Sequence, residues 1–156
     1  MDTNAPPGPS APPPVTAIEL TQFAEIVNNA RTDNEQALTT GLVATAGDGQ
    51  PDLAYRGSLM VWDDEHLAWW ERAKRETFAN LGTNTKVAIW VRNPVRDRRS
   101  LRFYGVARIV EGGPERDAVW ERVIQTEKDQ DKEQKGVAVI VRVDRVRAGP
   151  FDIQRR

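Results

Sequence analysis

The sequence predicts a small, mainly β fold: an antiparallel β-barrel with helices packed outside it. Three observations predict this. Six segments read as strands, and those over 52–62, 86–92 and 99–111 alternate with the period of two that a half-buried strand requires. Hairpin-length turns separate most of them. Only three helical stretches intervene, whereas a parallel doubly wound sheet needs a helix between most strands.

The elements follow in order. Residues 1–15 carry Pro6, Pro7, Pro9, Pro12, Pro13 and Pro14 among Ala and Ser. Such a segment cannot bury enough apolar surface to offset the entropy of ordering, so a disordered arm is expected ahead of a single domain over 16–156. Thr16 opens a helix, and Glu19 three residues on completes a capping-box pattern. Leu20, Phe23, Ala24 and Val27 keep helical spacing until Asn28 and Asn29 weaken the end. Leu38 to Thr45 reads as a buried strand, and Gly47-Asp48-Gly49-Gln50-Pro51 as a turn. A second strand is expected over 52–62, through Leu53, Tyr55, Gly57, Leu59 and Val61. Asp63-Asp64-Glu65 turns the chain into a third strand over 66–71.

A short helix is expected over 72–81, with Ala73, Phe78 and Leu81 on one side. Val87, Ile89 and Val91 mark a strand over 86–92. Leu101, Phe103, Gly105, Ala107 and Ile109 mark another over 99–111. Gly112 and Gly113 stop it, and Pro114 suits the first position of a helix carrying Ala118, Val119, Trp120, Val123 and Ile124. The charge-dense 127–135 stretch is expected to be solvated, and 136–146 forms the last strand.

Composition narrows the chemistry. Twenty-two Lys and Arg against 23 Asp and Glu leave a formal charge of −1, with no net pull toward nucleic acid or an anionic membrane. The chain has no cysteine, so disulfides, thiolate catalysis and thiolate metal sites are excluded. The longest aliphatic run is Val137 to Val141, far short of the roughly 20 residues of a spanning helix. No basic-then-apolar leader is visible, so a cytoplasmic protein is expected. The single histidine, His66, follows three acids in a turn, where a solvated role is the ordinary one. No Gly-rich phosphate loop follows a strand. No side chain is assigned a catalytic role and no metal ligands are assigned.

What remains is cationic and aromatic. Arg56 sits within an otherwise apolar strand beside Gly57 and Ser58. A charge so placed needs a partner, and a phosphate suits the planar guanidinium fork. Gly57 would let a ligand approach the backbone, and Ser58 adds a hydroxyl. Arg72, Lys74, Arg75 and Thr77 cluster where a strand meets a helix, whose first amides favour an anion. Trp69 and Trp70 end the intervening strand. Together these describe a phosphate flanked by aromatic surface, against the plainer reading of a surface arginine and an ordinary amphipathic helix.

The order of these pieces resembles the flavin-binding split-barrel family typified by pyridoxamine 5′-phosphate oxidase. The resemblance runs through Gly41-Leu42-Val43-Ala44-Thr45, Asp48-Gly49-Gln50-Pro51, Tyr55-Arg56-Gly57-Ser58 and Leu67-Ala68-Trp69-Trp70. It continues through Thr77-Phe78-Ala79-Asn80-Leu81, Asn84-Thr85-Lys86-Val87-Ala88-Ile89 and the run from Arg99 to Arg108. It implies a six-stranded antiparallel split β-barrel that pairs into a homodimer with FMN in clefts at the subunit interface. Arg56 matches the family's phosphate-binding arginine, Gly57, Ser58 and Leu59 the strand facing the flavin, and Trp70 its strand-end aromatic. Thr77 stands where the family usually has Lys, with Lys74 and Arg75 near enough to supply charge. Ser100 stands where the family has a ring-contacting Gln. The Trp and Arg-Leu-x-Pro ending of true pyridoxamine phosphate oxidases is missing from Gly149 to Arg156, so a different small-molecule substrate is implied.

Three functions stay open on this reading. The first is an FMN-dependent oxidoreductase, in which the cofactor carries the chemistry. The second is a deazaflavin-dependent reductase, with Arg92, Arg96, Arg98 and Arg99 serving the longer acidic tail. The third is a flavin-binding dimer without turnover, whose arm recruits a partner. Nucleic-acid binding is set aside, since Phe103 is expected to face the core even though arginines crowd 92–108.

Overall fold

The computed structural model describes residues 13–33 and 41–156, and these form one antiparallel sheet of eight strands. The strands are β1 (Gly41–Thr45), β2 (Asp52–Arg56), β3 (Met60–Val61), β4 (His66–Glu71), β5 (Lys86–Arg92), β6 (Ser100–Val110), β7 (Val137–Ala148) and β8 (Phe151–Arg155). The helices are α1 (Ala24–Asn28), α2 (Ala30–Asp33), α3 (Glu76–Thr83), α4 (Pro114–Arg122) and α5 (Gln125–Lys128), with a 3-10 turn at Leu20–Phe23 leading into α1. The sheet order is β2-β1-β5-β6-β7-β4-β3, and β8 pairs with β7.

That order explains the curl. β2 and β3 lie at opposite edges of the sheet, yet only residues 57–59 join them. A chain spans at most about 3.5 Å per residue, so Arg56 and Met60 stand within roughly 14 Å of each other. The two edges are therefore drawn together, and the sheet closes into a split barrel. The expected single strand over 52–62 is interrupted here for the same reason: the chain leaves one edge and joins the other. Strand β8 was not foreseen, nor was the short β3, which accounts for eight strands where six were expected.

Residues at alternate positions fill the barrel. Val43, Leu67, Trp69, Ile89, Val91, Leu101, Phe103, Val139, Val141 and Val143 are essentially inaccessible. Leu20, Phe23 and Val27 join this core, and the Phe23 and Phe103 rings meet edge to face at 6.0 Å. Burying each such side chain stabilises the fold by about 1.5–3 kcal/mol. A second, outer core lies under α4, where Val119, Trp120 and Val123 cover Met60, Ala68, Trp70, Ala138 and Ile140.

Local signals were partly redirected. The helix expected at Thr16 begins at Leu20, and Glu19 gives its amides no side-chain cap. Asp64 does so instead: its carbonyl accepts from Leu20 N at 2.9 Å and its carboxylate from Thr21 N at 3.3 Å. A long-range acid thus replaces the local capping box. The helix expected over 72–81 starts only at Glu76. Val15, expected in the arm, forms a parallel bridge to Gln154 in β8. The arm over 1–12, and the start of the expected strand at Leu38, lie outside the described residues. No helix among the described residues is long and apolar enough to cross a membrane.

Candidate functional site

The closure of the barrel creates the site. Where β2 leaves its edge, a cleft of about 220 Å³ opens between the end of β2, the 57–58 link, the end of β4 and the start of α3. Its walls include Arg56, Gly57, Ser58, Trp70, Arg75 and Thr77, six of the nine residues expected to bind a cofactor. Leu59, Lys74 and Ser100 do not line it. Leu59 is buried against Gly41, where any larger residue would overlap its side chain. Lys74 is exposed, in a left-handed conformation at φ 49°. Ser100 lines a separate apolar groove of about 730 Å³ with Val15, Arg98, Arg99 and Phe151.

The interior of the cleft differs from the expectation for a phosphate. Arg56 Nε donates to Glu71 Oε2 at 3.0 Å and Nη2 to Glu71 Oε1 at 2.9 Å. Its Nη1 donates to the Tyr55 carbonyl at 2.7 Å. Glu71 is only 2% exposed, and Trp69 Nε1 donates to its Oε2 at 2.9 Å. A carboxylate of this chain therefore occupies the place at Arg56 that a phosphate was expected to take. Ser58 is engaged as well. Its hydroxyl accepts from Trp70 N at 2.9 Å and faces the Trp70 carbonyl at 3.3 Å, which ties the link to β4. Over Gly57, the space left by the missing side chain is filled by the Glu127 carboxylate and the stem of Arg31.

Trp70 is held from its other edge. Its Nε1 donates to Asp131 Oδ2 at 2.8 Å, its ring lies 4.8 Å from that of Trp120, and the Arg116 guanidinium stands 4.8 Å from its centroid. Asp131 is buried, although the 127–135 stretch was expected to be solvated. Burial alone would raise its pKa. The hydrogen bonds from Trp70 Nε1 and the Gly136 and Lys135 amides, with Arg116 nearby, outweigh that and hold it below the ordinary carboxylate value.

The outer end of the cleft suits an anion better. Arg72 and Arg75 are exposed there, Arg72 Nη1 donating to Gln130 Oε1 at 3.2 Å, with the buried Thr77 and the first amides of α3 behind them. The lining as a whole carries Arg56, Arg72 and Arg75 against Asp52, Glu71, Glu76 and Glu127. Its four acids outnumber its three cations, so the cleft has no surplus of positive charge. Of the arginines considered for a longer acidic tail, Arg96 pairs with Asp33 at 2.8 Å and Arg99 with Asp97 at 3.0 Å. His66 lies away from the cleft, 2.7 Å from Asp63. Burial raises the Asp63 pKa, but the His66 contact and backbone amides bring it below its usual value.

Sequence reasoning missed Glu71, Glu127 and Asp131. For Glu71 a signal existed: it shares strand parity with Leu67 and Trp69, which places its carboxylate inside the barrel. Glu127 in α5 and Asp131 just after it make long-range contacts that no local pattern encodes.

The fold is that of a known class, the split barrels. The pyridoxamine 5′-phosphate oxidase family model matches residues 30–148, and the chain belongs to that family. Among solved structures it is similar to a conserved hypothetical protein, Rv2991, from Mycobacterium tuberculosis (27% identity, 89% of each chain covered, TM-score 0.59). It is also similar to an FMN-binding protein from Syntrophomonas wolfei (13% identity, 84% of this chain and 88% of that one, TM-score 0.63). A third similar structure is an F420 reductase (24% identity, 69% of this chain and 87% of that one, TM-score 0.53). No curated protein matches.

Proposed function

We infer that the chain is a flavin-binding oxidoreductase that works as a homodimer on a small-molecule substrate. The observation that carries this is the convergence of Arg56, Gly57, Ser58, Trp70, Arg75 and Thr77, from four separate elements, on one cleft at the split of the barrel. The fit is uneven. The outer end, with Arg72, Arg75 and Thr77, can hold an anionic tail; the inner end, closed by the Arg56–Glu71 pair, cannot. Trp70 and the backbone at Gly57 and Ser58 would face the flavin once the Glu127 side chain swings off Gly57, and the flavin when bound supplies hydride transfer. The chain's own part is to bind and orient, and no histidine stands among the residues lining the cleft.

The cleft within one chain is smaller than the roughly 300–1,000 Å³ of a typical ligand site. A second copy would complete it. The outer sheet face supports that reading, because Tyr55 belongs both to the cleft and to this face. Two cross-strand rows run over it: Tyr55, Leu42, Trp90 and Arg102, then Leu53, Ala44, Ala88 and Tyr104. Leu53 and Tyr55 are 63% and 60% exposed. Exposed apolar side chains grouped on a sheet face favour contact with a partner.

The test is to titrate purified protein with FMN and follow the visible flavin band together with tryptophan fluorescence. Saturable quenching with a shifted band is expected. A chain whose spectrum and fluorescence ignore the flavin would overturn the reading. The F420 reductase among the similar structures favours a deazaflavin as the second candidate, and competition between the two cofactors decides.

A further inference from the structure

We propose that Glu71 is a specificity-determining residue of this cleft: it withholds Arg56 from the cofactor's phosphate and leaves the anion grip to Arg72, Arg75 and Thr77 at the mouth. The inference rests on the flavin reading above for the identity of the cofactor, but not for the behaviour of the cleft toward phosphate. All three nitrogens of the Arg56 guanidinium are engaged, two of them by the Glu71 carboxylate and the third by the Tyr55 carbonyl. Both Glu71 oxygens are engaged in turn, with Trp69 Nε1 as the further donor. The pair is thus neutral, with three of the five guanidinium N–H groups engaged. A phosphate brought to Arg56 would have to displace a nearly inaccessible carboxylate or lie against it. Two anions sharing a site of reduced dielectric repel strongly. Glu127, laid over Gly57 and 3.5 Å from Arg31 Nε, adds a second negative group on the same side.

The experiment compares wild type, Glu71→Gln and the doubly neutral Arg56→Gln/Glu71→Gln chain, each as the full-length protein. FMN and riboflavin share one ring system, so the ratio of their affinities isolates the phosphate. Inorganic phosphate, followed by the shift in melting temperature, probes the cleft without any flavin. Glu71→Gln is expected to raise the preference for FMN over riboflavin at least about tenfold, since one added charge-assisted contact to phosphate is of order 1.5 kcal/mol. It should also gain a saturable stabilisation by inorganic phosphate beyond the weaker one that the mouth arginines give wild type. The double variant should keep the wild-type preference within about twofold, because Arg56 is not in use.

A double variant that loses the FMN preference tenfold overturns the proposal, and so does a Glu71→Gln chain without any phosphate gain. Should Glu71→Gln fail to fold, the double variant decides alone. Phosphate gain without flavin binding by any of the three chains would support the role of Glu71 and reject the flavin reading.

Discussion

Arg56 and Glu71 meet across the split of the barrel through two hydrogen bonds, at 3.0 and 2.9 Å, and so join the edge strand β2 to the end of β4. The pair is placed where residues 57–59 carry the chain from one sheet edge to the other. Its structural weight follows from burial: the carboxylate is nearly inaccessible and the arginine side chain is 17% exposed. Removing one partner leaves a largely desolvated charge uncompensated, which in buried pairs costs about 3–5 kcal/mol.

Glu71→Gln is therefore expected to lower the free energy of unfolding by about 3 kcal/mol, at the low end because Arg56 keeps some contact with solvent. Arg56→Gln/Glu71→Gln should lose less than the single variant, since it leaves no orphaned charge. Urea denaturation of both chains checks this. A double variant less stable than Glu71→Gln would mean the pair acts as a net source of stability rather than as a mutual neutralisation.

Asp131 gives a prediction with a pH signature. It accepts from Trp70 Nε1, Gly136 N and Lys135 N at 2.8, 2.8 and 3.0 Å. Asp131→Asn is expected to cost about 2 kcal/mol at pH 7, because an amide cannot replace three hydrogen bonds to a carboxylate. The folded pKa lies below the ordinary value of 3.8. The contribution is thus fully present above that value and is lost as pH falls through the lower folded value. The stability gap between wild type and variant should narrow in denaturation curves taken from pH 7 down to about pH 3. A gap that stays constant over this range would assign the effect to packing alone.

The parity of each strand was readable because its reward is local: Val87, Ile89 and Val91 must share one face if that face is buried. The same parity put Glu71 with Leu67 and Trp69, so the inward carboxylate was there to be read. Its partner was not, because the contact between Arg56 and Glu71 depends on closure of the barrel, a property of strand order rather than of any segment. Asp64 shows the same gap. The Thr16 and Glu19 pattern satisfied the rule for a cap, yet the Leu20 and Thr21 amides found a better placed acceptor in a distant turn. Phe151 to Arg155 lacked clean alternation and became a strand only because the end of β7 offered an open edge.

Two glycines should respond very unequally to the same substitution. A Cβ on Gly105 would overlap the carbonyl oxygen of Arg142, a backbone atom held in the β6–β7 ladder beside a bulge. Gly105→Ala is expected to cost about 3 kcal/mol or prevent folding, since neither strand can withdraw without losing pairing. A Cβ on Gly57 meets chiefly the carboxylate end of Glu127, a flexible side chain that can swing away. Gly57→Ala should cost under about 1 kcal/mol. Thermal melts of the two variants settle the order, and equal losses would refute the distinction between backbone and side-chain obstacles.

The outer face of β2 and its neighbours leads to the last prediction. Tyr55 sits at the mouth of the cleft, and Leu53 lies two residues away in the row that continues through Ala44 and Ala88 to Tyr104. If a second copy covers this face, a charge at Leu53 must either be desolvated without a partner or keep the copies apart. Leu53→Glu is expected to convert a dimer into a monomer by sedimentation velocity. The monomer itself should melt close to wild type, because Leu53 is mostly exposed and lies outside the barrel core. Flavin affinity should fall with the dimer, since the wall beyond Tyr55 would be missing. A Leu53→Glu chain that stays dimeric would place the interface elsewhere; one that is monomeric yet binds flavin as tightly as before would show that a single chain suffices for the site.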